Sequence, residues 1–252
     1  MPKVSVEHQK RQRERIVAAA EACFANNGFH ATSMDDVVHA AGMSTSTVYN
    51  YFPGGKNELI VTVCKERTDA VFERVAVFAE QENPPSLRRV YAEVALAFQE
   101  HMEKVQEEMA GDGDLTTIDG DRPVRERDGR ARSERAAAAR IGDFARMDEL
   151  EPPEWVVRSV RLAVNAWTET IRNDELREDM QRRHSKFSIA LVKLVDRWKE
   201  TGVVDPALPT GDVVRIIMDS YFGAIVDYII TGASRYERSI AALERILSPR
   251  AG

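Results

Sequence analysis

A chain of 252 residues is long enough to bury one large core or two smaller ones, and its net charge of -6 argues against a protein that coats nucleic acid or anionic membrane indiscriminately. No stretch approaches the roughly 18 uninterrupted apolar residues of a membrane span, and the first ten residues lack the apolar centre of a secretion signal. A soluble, cytoplasmic protein without a membrane partner is expected. Cys23 and Cys64 have no Cys or His neighbour at metal spacing and read as small core residues, so neither metal nor cofactor is expected. Up to Glu58 the chain carries six basic and six acidic side chains, which places the whole negative excess after that residue.

Apolar residues recur at helical spacing almost throughout, and no run alternates as a strand would, so an all-α fold is expected. A first helix runs from about Glu7 to Asn27 and stops at Gly28. Ser33 caps a second helix, with Asp36 placed to complete a capping box, and Met34, Val37, Val38 and Ala41 form its buried stripe. Gly42 ends that helix, Ser44 caps a third, and Pro53-Gly54-Gly55 ends it, leaving two short helices joined by a tight turn as in a helix-turn-helix. A long helix opens at Lys56 and runs to about Ala79 before the Asn83-Pro84-Pro85 break.

Leu87 to Met109 reads as a further helix. From Ala110 to Pro123, glycines and aspartates mark a loop whose Asp112, Asp114, Asp119 and Asp121 do not match calcium-loop spacing. Val124 to Met147 reads as a surface helix or a mobile segment. Trp155 to Ile171 and Leu176 to Trp198 carry firm helical stripes. The helix from about Gly211 to Ile230 is apolar all round, and burying its second face against another subunit is one solution. An interface of about Gly211 to Leu247 follows, including Ile217 and Ile225.

In the third helix Val48 and Phe52 face inward, which turns Thr45, Ser46, Thr47, Tyr49, Asn50 and Tyr51 outward. Hydroxyls, an amide and phenols suit both phosphates and base edges; equally, the tyrosines serve as half-buried aromatics and the threonines as helix caps. The ordered pattern Arg15 to Phe24, Gly28 to Met34, Ala40 to Phe52 and Lys56 to Leu59 resembles the DNA-binding domain of the TetR family of bacterial regulators. The resemblance implies a homodimer on a pseudo-palindromic double-stranded operator. It implies a three-helix DNA-binding domain at residues 1–58 and a larger helical domain at 59–252 that dimerises and binds a small-molecule effector, with repression as the default. It places Thr45, Ser46, Thr47, Asn50 and Tyr51 at recognition positions and Tyr49 and Lys56 at phosphate contacts, with Thr32 and Ser33 beside the phosphate as well. Ser46 replaces a frequent family glycine, and Pro53-Gly54-Gly55 is one residue longer than the commonest spacing.

Beyond residue 60 no comparable motif occurs. Phe98, Met102, Trp155, Trp167, His184, Phe187, Met218 and Tyr221 are candidates for an effector pocket, although large apolar residues at helical spacing more often form core. Two rival readings are a DNA-binding regulator with no effector pocket and an all-α enzyme. The usual signatures of zinc proteases, phosphate-binding loops and serine hydrolases are missing, so no catalytic residue is expected.

Overall fold

A computed structural model describes residues 6–110, 154–233 and 235–249. The loop expected at 110–123, the helix expected at 124–147 and the aspartates between them lie outside the described residues, save for Ala110. Among the described residues every regular element is an α-helix: α1 Val6–Ala31, α2 Met34–Ala41, α3 Thr45–Tyr51, α4 Gly55–Ala79, α5 Leu87–Ala110, α6 Glu154–Glu169, α7 Asp174–Glu200, α8 Thr210–Thr231 and α9 Tyr236–Leu247. None is long and apolar enough to cross a membrane.

The helix ends follow local chemistry. Gly28 takes φ 80°, a conformation costly for any side chain, and breaks α1 one turn before its end. Ser33 and Asp36 form the expected reciprocal capping box, while Gly42 closes α2 in the left-handed conformation at φ 62°. Ser44 accepts the Thr47 N–H to start α3.

The described residues divide into two compact units, one of residues 6–69, 99–110 and 155–180, the other of 70–98, 154, 181–233 and 235–249. In the first, Ile16, Ala20 and Phe24 of α1 pack with Val37, Val48, Phe52, Leu59 and Val63, and the same core takes in Leu162, Ala166 and Leu176 from α6 and α7. Phe24 and Phe29 meet edge to face with centroids 5.0 Å apart. Two polar contacts sit within this apolar mass. The fully buried Glu21 meets His101 of α5 at 2.8 Å, and the buried Arg67 donates from Nη2 to the Ser159 carbonyl at 2.6 Å.

In the second unit, Val71, Val75, Leu87, Val90 and Tyr91 pack with Leu191, Leu194 and Trp198 of α7 and with Val213, Val214, Ile217 and Ile240 of α8 and α9. Trp198 is wholly buried and its indole N–H donates to the Pro85 carbonyl at 2.8 Å, which ties the α4–α5 break to α7. Tyr91 donates to the Ile217 carbonyl at 2.9 Å, and burial pushes its phenol well above the ordinary value.

The α8 helix has two different apolar faces. Val213, Val214, Ile217 and Met218 are buried, whereas Ile216, Phe222, Val226, Ile229 and Ile230 stand exposed. Ile217, expected from sequence at a subunit interface, is only 5% exposed and faces the protomer's own core. The adjacent Ile216 is 41% exposed. In a helix apolar all round, hydropathy cannot say which stripe the protomer itself covers.

Candidate nucleic-acid interface

The geometry of residues 28–58 begins with α1. Its core side chains fix α2 and α3 against it, and the Gly28 break lets the chain turn into the Ser33 cap. Ser33 is exposed, and its hydroxyl is engaged with both the Asp36 N–H at 3.1 Å and the Asp36 carboxylate at 2.8 Å. The Ser33 backbone N–H reaches the same carboxylate at 2.7 Å. These bonds, the backbone one foremost, hold the Asp36 carboxyl below its ordinary value. Thr32 is 1% exposed, and its hydroxyl is spent on the carbonyls of Gly28 and Cys23 at 2.8 and 3.2 Å. It secures the corner, while Ser33 lies on the surface.

Val48 and Phe52 are buried as the four-residue spacing demands, so α3 stands on the domain as a half-sunk cylinder. Thr45, Ser46, Tyr49 and Asn50 are exposed on its outer side, with Tyr49 at 42%. Thr47 and Tyr51 are half-buried. The hydroxyls of Ser46 and Thr47 each lie within hydrogen-bond distance of Ser44 Oγ, at 3.0 and 2.8 Å. Tyr51 donates to Gln12 Oε1 of α1 at 2.8 Å, which locks its ring orientation. Lys56 is half-buried, and its ammonium donates to the carbonyls of Thr32 and His30 at 3.0 and 3.3 Å, capping the end of α1 from the first turn of α4.

Sequence reasoning treated α1 as core alone and missed what its first turns do. Arg13 donates to Glu66 at 2.6 Å and lies over the Phe52 ring at 5.5 Å. Arg15 sits on the helix-turn-helix corner, where a Cβ on Gly42 would meet its Nη2 at 2.8 Å. The cations at 11, 13 and 15 were the available signal.

The effector candidates divide between the two units. Met102, Trp155 and Trp167 belong to the first, with Met102 buried and both tryptophans half-buried. Phe98, Phe187 and Tyr221 pack half-buried against the second core, Met218 is buried within it, and His184 is exposed. Phe187 and Phe72 rings lie 5.0 Å apart.

The profile of bacterial regulatory proteins of the tetR family matches residues 16–63, the stretch that runs from the α1 core through α2 and α3 into α4. Residues 16–63 are thus similar to the DNA-binding domain of tetR-family regulators. The regular elements described around it are all helical. YfiR of Bacillus subtilis, an uncharacterised regulator of the helix-turn-helix type, is 22% identical over 224 residues, covering 89% of this chain and 83% of the relative. Shorter matches, 28% to 35% identical, span 34% of the length of the relatives concerned. Among solved structures, GusR of Salmonella enterica shares the fold at a TM-score of 0.58 and 20% identity, covering 97% of this chain and 96% of GusR. FadR of Bacillus subtilis in complex with stearoyl-CoA aligns at a TM-score of 0.50 and 15% identity, covering 94% of this chain and 98% of FadR.

Proposed function

We propose that this chain is a TetR-family repressor that binds a pseudo-palindromic operator as a homodimer and leaves it when a small-molecule effector binds. The observation that carries DNA binding is the outer side of α3, where Thr45, Ser46, Tyr49 and Asn50 stand clear of a helix anchored by Val48 and Phe52. Short donors and acceptors on a projecting helix suit base edges in the major groove, and Tyr49, Ser33 and Lys56 flank it for the phosphates. Residues 1–58 supply this function and residues 59–252 the rest.

Dimerisation is supported by the exposed stripe of α8, Phe222, Val226, Ile229 and Ile230, which is too apolar to face water and continues at Ile246 of α9. FadR's stearoyl-CoA supports an effector with an apolar chain, and Phe98, Phe187, Met218 and Tyr221 of the second unit are its candidate contacts. The α4 helix is unbroken from Gly55 to Ala79, so a tilt at its far end would change the spacing of two recognition helices that must dock about 34 Å apart.

Selection of bound duplexes from a random library tests the first step, and enrichment of a two-fold related sequence is expected. A compound that releases the enriched duplex is then titrated with and without it. Linkage requires its affinity to fall with DNA bound by the same factor that it weakens DNA, and equal affinities would refute the switch. No enriched sequence would refute the operator.

A further inference from the structure

The first turns of α1 do more than brace α3. His8, Arg11, Gln12 and Arg15 follow steps of three, one and three, so at 3.6 residues per turn they share one flank of the helix. Two of them fix where that flank points. Gln12 accepts the Tyr51 hydroxyl at the C-terminal end of α3, and Arg15 lies against Gly42 in the turn that precedes α3. The flank therefore runs alongside the recognition helix, and Arg11 is exposed on it beside the Tyr51 end. The opposite flank is different. Glu14 there faces Lys104 of α5 at 3.3 Å, and Lys10, with its side chain 72% exposed, is drawn towards Glu14 at 4.0 Å.

The two flanks thus differ in what engages their charges. On the α3 side stand Arg11 and Arg15; on the α5 side Lys10 and Lys104 share Glu14, while Glu7 lies one turn before Arg11, between the two flanks. A duplex that receives α3 in its major groove carries a phosphate strand along each edge of that groove. The strand beyond the Tyr51 end is the one that the α1 flank meets. We infer that Arg11 is a DNA-backbone contact outside the helix-turn-helix, a phosphate clamp held in place by the Gln12–Tyr51 and Arg15–Gly42 contacts. It carries no base information; it sets affinity and the register of α3 in the groove.

This inference rests on the DNA-binding reading, and the test separates the two. Arg11→Ala and Lys10→Ala each remove one exposed charge from neighbouring positions, so bulk electrostatics changes equally and folding, checked by circular dichroism, is preserved. Duplex binding by the full-length chain is measured between 50 and 200 mM salt, on the selected sequence and on a scrambled one. Each neutralised phosphate contributes about 0.9 to the slope of log affinity against log salt. Arg11→Ala should make the slope shallower by about one on both duplexes, so that the fourfold salt increase costs wild type about three to four times more affinity than the variant. Lys10→Ala should leave the slope at the wild-type value. An Arg11→Ala slope equal to wild type, or an equal change in both variants, overturns the clamp. A wild-type chain that binds neither duplex overturns the DNA reading itself.

Discussion

At the residue scale, exposure and hydrogen bonding sort the outer side chains into different duties. Tyr49 and Asn50 are neighbours on α3 and both exposed, yet a phenol and a carboxamide read different targets. Tyr49→Phe should weaken binding by a similar factor on every sequence, while Asn50→Ala should relax base preference at one position, worth about 1 to 3 kcal/mol of discrimination. Parallel selections with the two variants check this, and a changed consensus for Tyr49→Phe would reverse the roles. Lys56 is doubly placed, because two of its three N–H groups go to the carbonyls of His30 and Thr32. Lys56→Ala should therefore lower stability by about 1 kcal/mol in urea unfolding as well as make the salt slope shallower by about one unit. A loss in stability with an unchanged slope would leave it a capping residue alone.

The legibility of these residues depended on how local their partners are. Ser33 and Asp36 were readable because a capping box is completed within four positions. Thr32 stood beside them in the same pattern, but its hydroxyl turns inward to Gly28 and Cys23, a result of where α1 breaks. The bond between Gln12 and Tyr51 crosses 39 positions and has no signature in either neighbourhood.

At the element scale, the start of α2 and the outer face of α8 give the sharpest expectations. Ser33→Ala removes the acceptor of the Asp36 N–H and should cost about 1 kcal/mol, measurable by thermal unfolding. Asp36 has a carboxyl held below its ordinary value in the folded chain, so its contribution is fully present above the unfolded value. It is lost as pH falls through the folded one. Asp36→Asn should flatten that acid limb of the stability curve relative to wild type.

For α8, adjacent isoleucines should behave oppositely. Val226→Arg and Ile216→Arg, on the exposed face, should yield a folded monomer with weakened operator binding, whereas Ile217→Arg buries a charge in the core and should abolish folding. Sedimentation and circular dichroism on the three variants distinguish the outcomes, and a dimeric Val226→Arg chain would move the interface elsewhere. The helix itself was evident from its apolar content; which half faces inward was set by Tyr91, Leu194 and Ile240, which no window around residue 217 contains.

At the scale of the whole molecule, the helix-turn-helix is not packed by its own stretch of sequence alone. Leu162, Ala166 and Leu176 belong to the core that carries Val37, Val48 and Leu59. Leu176 is fully buried, so Leu176→Ala should cost about 2 to 5 kcal/mol and speed hydrogen exchange in α1 to α3, a region more than a hundred positions away. Exchange that is faster only in α7 would show that the two stretches are energetically separate. The seam is polar at its rim as well: His30 lies 3.3 Å from Glu169 and 2.9 Å from Arg172, and Asn57 bonds to both Asn173 and Glu175. Periodicity announced each of these helices without indicating that they share a core.

That seam has a consequence for the protein's birth on the ribosome. Asn57 waits for partners 116 and 118 positions later, and the apolar core around Leu59 waits as long for Leu176. At a synthesis rate of about 5 to 20 residues per second, the emerging DNA-binding segment spends on the order of ten seconds without them. During that interval Leu59, Ile60 and Val63 have only the α1 to α3 part of their core to pack against. A chain built this way completes the core under its helix-turn-helix only after about two-thirds of its length has been translated, so truncated products of an interrupted message would carry that helix pair on an unfinished core.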